Sequence, residues 1–344
     1  MDSTATYHDA VEFFFNKPWS DGYAVVPPTR ELVALMLKGT RRDPDEEIGL
    51  VPPNCLPLTV RIVAEHAVMA GALPEYMPVI IGGMQAILDE SFNMNGVQMT
   101  LGDVAPLMIV NGPYAKKIGI HGGRGCFGPG FRANGTIGRT VRLILFNVGG
   151  GTPFVSLSVF SSPARYTFCV AENEDESPWE PLSVTRGFKA DENVITVVHC
   201  GSPTQVYDDL NEDPERLHLH ITDCMATMGC MNAFRAADMV VVLSPDIADV
   251  FAKAGLSKMD VHELLREKAG RRVGQLKQGG LWHPERLGRW VNKVDPNDDN
   301  CFVPSVQEPS RLYLIVAGGR PGAADLVMHG WNESAQGVSV VYDV

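Results

Sequence analysis

The chain has 344 residues, 45% of them hydrophobic and 20% charged, with 41 Asp and Glu against 29 Lys and Arg and a formal net charge of −12. That composition excludes a disordered chain and supplies core material for about two domains. The acid excess argues against nucleic acid and anionic membranes as partners, because both call for a basic surface.

Residues 1–57 read as an N-terminal arm and helix. Met1–Thr4 has no basic region and Phe13–Phe15 is too short for a signal core, so no leader is expected. Thr29 caps a helix carrying Leu32, Val33, Leu35 and Met36, which Gly39 stops. Residues 58–210 form a first α/β unit. Leu58–Gly71 and Pro78–Leu88 read as helices, with too many charges and prolines for a membrane span. Leu107–Val110 reads as a buried strand ended by Asn111-Gly112-Pro113. Eight glycines lie between Gly119 and Gly138, and Ile137, Val141, Ile144, Leu145 and Val148 then repeat at helical spacing. Tyr166–Ala171 and Val194–His199 are further strands, and Glu172–Glu176 is an acidic loop.

Residues 211–344 form a second α/β unit. Helices are expected near His220–Ala233, over Asp246–Ala254, and from Ser257, where Asp260 completes a capping box. Met239–Leu243 and Leu312–Ala317 are strands, the second leading through Gly318-Gly319 to a short helix from Ala323. Gly270–Pro309 is loop-rich and holds Trp282 and Trp290. Leu107–Pro113 resembles Met239–Pro245, and Tyr166–Ala171 resembles Leu312–Ala317, a weak internal duplication. The expected fold is therefore α/β: two similar units with parallel or mixed sheets covered by helices.

Five places could carry chemistry. In the loop Gly119–Gly130, Gly123-x-Gly125-x-x-Gly128 matches a dinucleotide pattern literally. However, Pro129-Gly130 separates it from its helix and no acid follows at the required distance, so no nucleotide is expected. Glycine-rich backbone beside Arg124, Arg132, Arg139 and Arg142 suits an anion. Gly318, Gly319 and Arg320 follow a strand and would occupy a ligand-binding strand end. Glu172, nearest the sheet in its acidic loop, could serve as a base or help bind a divalent cation, the one cofactor left open. His220 and Cys224 share a helical face and are weak metal candidates. Cys126, among glycines and arginines with His121 nearby, is a candidate nucleophile, and Cys200 is another. The seven cysteines are scattered, odd in number and without Cys-x-x-Cys, the pattern of a reduced cytoplasmic chain.

Asp21–Thr29, Ala67–Gly71, Val110–Pro113, Phe127–Gly130 with Asn134–Gly138, Phe168–Asn173, Ser257–Asp260 and Val316–Gly319 together resemble the uncharacterised microbial "UGSC-like" proteins, named for a selenocysteine-Gly-Ser-Cys signature. The signature is absent here; Cys200-Gly201-Ser202-Pro203 comes nearest and lacks the second cysteine. The resemblance implies relatives, not a reaction.

These residues lead to a first expectation, an enzyme acting on a small carboxylate- or phosphate-bearing metabolite by lyase, hydrolase or isomerase chemistry. Arg132 and Arg139 would hold the anion, with Gly123, Arg124 and Gly125 beside it. Glu172 or His121 would move the proton, and Asn111, Asn134 and Asn173 would orient the substrate. The alternatives are a thiol- or metal-dependent oxidoreductase using Cys200, Cys126 or His220/Cys224, and a non-catalytic ligand-binding protein. A homodimer is the macromolecular partnership left open.

Overall fold

A computed structural model describes residues 7–280 and 294–344; Trp282 and Trp290 lie outside the described residues. The helices are α1 (Tyr7–Phe15), α2 (Arg30–Met36), α3 (Val60–Ala70), α4 (Met77–Ile87), α5 (Met94–Met99), α6 (Pro113–Lys117), α7 (Arg132–Asn147), α8 (Leu182–Thr185), α9 (Pro214–Met225), α10 (Pro245–Lys253), α11 (Lys258–Lys268) and α12 (Val273–Gln278). The strands are β1 (Glu47–Val51), β2 (Leu56–Thr59), β3 (Ala105–Asn111), β4 (Cys169–Ala171), β5 (Val194–Cys200), β6 (Thr204–Tyr207), β7 (Met239–Leu243), β8 (Gly270–Arg272), β9 (Phe302–Pro304), β10 (Leu312–Val316), β11 (Ala324–His329) and β12 (Val338–Val341).

Local signals explain many of these boundaries. The Thr29 and Thr59 side chains accept the Leu32 and Ile62 amides at the starts of α2 and α3, and Gly71 ends α3 in the left-handed conformation. Ser257 and Asp260 form the expected capping box of α11. Two expectations shift. Asp213 caps α9, with Pro214 in its first turn, so that helix starts before His220 and ends before Ala233. The residues from Ala324 form β11 rather than a helix, because they fill the gap between β7 and β6.

The fold is α/β, with two mixed sheets in the orders β12-β5-β3-β4 and β10-β7-β11-β6. In each, a parallel pair is followed by two antiparallel strands. The resembling segments of sequence fall on the internal strands β3 and β7 and on their parallel neighbours β4 and β10. Each half contributes its last strand to the other's sheet: β6 pairs with β11, and β12 pairs with β5. Neither 58–210 nor 211–344 therefore holds a complete four-stranded sheet. Buried Asp238, at the start of β7, secures the exchange by accepting the Gly337 amide at 2.6 Å just before β12, and Arg311 at 3.0 Å.

Period-two alternation divides the core into layers. Leu107 and Ile109 of β3 pack with Val240, Val242, Tyr313 and Ile315 of the second sheet, so the two sheets stack face to face. Met108 and Val110 turn the other way, onto residues of α3, α4 and α7. Val241, Leu314 and Val316 pack similarly onto α9, α10 and α11. The order of layers is helix, sheet, sheet, helix. Each sheet is covered by helices on one face only.

Candidate functional site

A cleft of about 640 Å³ opens where the parallel strands β3, β4 and β10 end. Seven of the residues singled out in the sequence line it: His121, Gly123, Arg124, Glu172, Asn173, Gly319 and Arg320. Strand ends leave backbone groups without ladder partners, so α/β sheets bind ligands at such places.

Its floor is a buried ion pair. Glu172 accepts Lys258 Nζ at 2.8 Å, Asn111 Nδ2 at 2.9 Å, and the amides of Leu182 and Val316 at 2.6 and 3.3 Å. Both charged side chains are almost wholly buried. A carboxylate with four donors is committed to holding the structure, so Glu172 does not act as a proton acceptor for a ligand. Asn111 lies beneath the cleft, bridging Glu172 to Glu174. Asn173 joins the two sheets: its amide donates to Val316 O and its side chain to Gly318 O.

His121 stands on the wall. Its Nε2 lies 3.0 Å from Arg124 O. A carbonyl only accepts, so Nε2 carries the hydrogen and Nδ1 of the neutral ring is an acceptor. One face of the ring stacks on Phe131, with centroids 3.8 Å apart. Gly123 lies against the ring as well: a Cβ built there would sit 3.0 Å from the imidazole. Asn134 fixes the backbone by accepting the His121 amide and donating to its carbonyl, both at 2.8 Å. The expected substrate-orienting side chain of Asn134 is thus taken up by the loop backbone, Cys126 O included.

The glycine loop is locked to the loop after β10. Gly318 N donates to Gly122 O at 2.8 Å. Gly319 passes so close to Arg124 that a Cβ would meet its backbone at 2.8 Å. Arg124 is exposed, and its Nη2 reaches the carbonyls of Arg320 and Pro321. Gly318 supports this crossing, and neither it nor Gly125 lines the cleft.

The expected arginine cluster does not assemble here. Arg132 caps α3 by donating twice to Gly71 O, and Arg139 grips the nearly buried Asp21 at 2.8 and 2.9 Å. Arg142 is half-buried and donates to Gln98 and Gly151 O, its pKa pushed down to about 10 by desolvation. Arg320 lines the cleft but pairs with Asp246 and Asp249. Arg132, Arg139 and Arg142 lie on one side of α7 but are spread along its length, and at each height a different neighbour takes the guanidinium.

The thiol candidates fare no better. Burial pushes the Cys126 thiol up, and Cys200, buried against Met328, well up. A thiol raised by desolvation is a poor nucleophile. Among the described residues no group of three or more His, Cys, Asp or Glu side chains could hold a metal. His220 approaches Asp208 at 3.7 Å, while Cys224 offers its carbonyl to His329.

Sequence reasoning missed Lys116 and Lys258. Lys116 lines the cleft and pairs with exposed Asp175 at 2.6 Å. Lys258, first residue of a capped helix, reads as a solvated lysine, and only its tertiary partner Glu172 reveals the burial. No protein-family model matches the chain, and no curated protein shows significant similarity to it.

Proposed function

We propose that the protein is an enzyme that moves a proton on a small carboxylate- or phosphate-bearing metabolite bound in this cleft, by lyase, hydrolase or isomerase chemistry. One observation carries the reading: His121 is held on a ring face and at both backbone polar groups, its Nε2 hydrogen is committed, and its Nδ1 makes no hydrogen bond among the described residues. A general base requires this arrangement, a ring fixed at the edge of a ligand site with one nitrogen uncommitted.

Arg124 is the anion holder. Among the described residues only its Nη2 is engaged, which leaves Nε and Nη1 for a carboxylate or phosphate. Lys116 assists. Its ion pair with Asp175 is exposed on both sides, and such pairs contribute about 1 kcal/mol or less, so a substrate anion displaces Asp175 at small cost. Several stretches that carry the UGSC-like resemblance, Val110–Pro113, Phe168–Asn173 and Val316–Gly319, contribute to the cleft, so relatives would share it.

Inorganic phosphate and malonate are suitable probes, titrated calorimetrically at low ionic strength. Arg124→Ala should weaken binding by about tenfold or more, as loss of a charge-assisted hydrogen bond does, while Arg132→Ala should leave it unchanged. Equal affinities in Arg124→Ala and the parent protein would sink the reading. For a turned-over compound identified among co-purifying metabolites, His121→Gln should keep affinity and lose at least about 100-fold in kcat.

A further inference from the structure

From Leu143 to Ala164 the chain carries no Asp, Glu, Lys or Arg, in a protein whose net charge is −12. The part beyond α7 displays its apolar side chains. Phe154 is fully exposed and Phe160 94% exposed, with Leu157 and Val159 also outside. The Val159 amide donates to Leu101 O at 3.1 Å, which places exposed Leu101 beside them. The segment is anchored: the Ser156 amide donates to Thr152 O, Ser156 Oγ to Gln98 O at 2.8 Å, and Arg165 Nη1 to Ser156 Oγ at 2.9 Å. Phe154 has φ +74°, a left-handed conformation that disfavours a bulky side chain. Within one chain that strain serves no packing, because the ring touches nothing it could bury.

Large exposed apolar side chains gathered in one short segment are uncommon on a monomer, and aromatic residues concentrate at interface centres. Charge selects the occupant. Two copies of an acidic chain repel wherever their acidic surfaces meet, and an uncharged segment escapes that repulsion. A two-fold contact sets one surface against itself, so it needs a patch compatible with its own copy. We propose that the 154–160 segment with Leu101 is a self-association surface, occupied by the same segment of a second copy of this chain. It is independent of the cleft chemistry proposed above.

Sedimentation equilibrium between about 1 and about 100 μM tests this, because association makes the apparent mass concentration-dependent. The mass should rise towards twice the 37.5 kDa of one chain. The Phe154→Asp/Phe160→Asp variant should weaken association at least about 100-fold, as loss of two central aromatic anchors does. Its circular dichroism should match the parent protein, since both rings are exposed. A parent protein that stays at single-chain mass throughout overturns the proposal, as does a dimer that the variant leaves intact. Flotation with phosphatidylcholine vesicles, lost in the variant while the parent stays monomeric in solution, would also overturn it and assign the surface to lipid.

Discussion

Glu172 shows how a residue's chemistry depends on neighbours far away in sequence. In the chain it is one acid among four in a loop; in the fold it is the counter-ion of Lys258, eighty-six positions on. Removing one member of such a pair leaves the other charge buried, at a cost of about 3–5 kcal/mol. Glu172→Gln should lower unfolding free energy by that order in urea titrations, and adding Lys258→Met should restore part of it. Asp325 supplies a pH signature. It accepts the Ser244 amide at 2.9 Å, and burial pushes its pKa up to about 7. The unfolded value is about 3.9, so the folded state holds the extra proton and stability falls as pH rises from about 4 to about 7. Asparagine keeps the acceptor and cannot ionise. The stability advantage of Asp325→Asn over the parent should therefore grow between pH 5 and pH 8. Buried His66, His199 and His262 and half-buried His329, whose pKa values desolvation lowers, contribute the opposite slope below about 6.5, but they are common to both proteins and cancel.

Elements with strong local signals were legible in the sequence: α2 by its Thr29 cap, α11 by its Ser257 box, and β3, β5, β7 and β10 by continuous apolar runs. Strands buried on both faces carry that pattern because neither face meets water. The edge strands β6 and β12 were not legible, since their residues are mostly exposed or half-exposed and short strands take their conformation from a partner. Those partners lie in the opposite half. Fragments 1–210 and 211–344 expressed separately should each lack a sheet edge and aggregate, whereas together they should form a soluble, co-purifying complex. Soluble, well-folded separate fragments would contradict the observed pairing.

For the whole molecule, burial decides which chemistry is open. Cys126, Cys169 and Cys200 are buried, Cys224, Cys230 and Cys301 are half-buried, and Cys55 is exposed. Burial raises the first three thiols, Cys169 to about 12. An aromatic disulfide reagent at pH 8 should therefore modify Cys55 first in native protein and reach Cys126, Cys169 and Cys200 only on unfolding. Rapid native labelling of Cys126 or Cys200 would instead revive thiol chemistry. Charge is uneven along the chain, with none over 143–164, and folding adds a second selection: every cleft cation has acquired a partner.

The sequence by itself determined the α/β class, the main buried strands and the loops that reach the cleft. Hydrophobic period, caps and glycine turns act over a few residues, so a linear reading captures them. Only the tertiary structure decided which charged side chains are free. Arg132, Arg139 and Arg142 sit near the glycine loop in sequence and are spent on Gly71, Asp21 and Gln98, while Arg124, exposed and only partly engaged, remains at the cleft beside His121. Ion pairing and desolvation act through space, between residues that the chain brings together only when the two sheets stack.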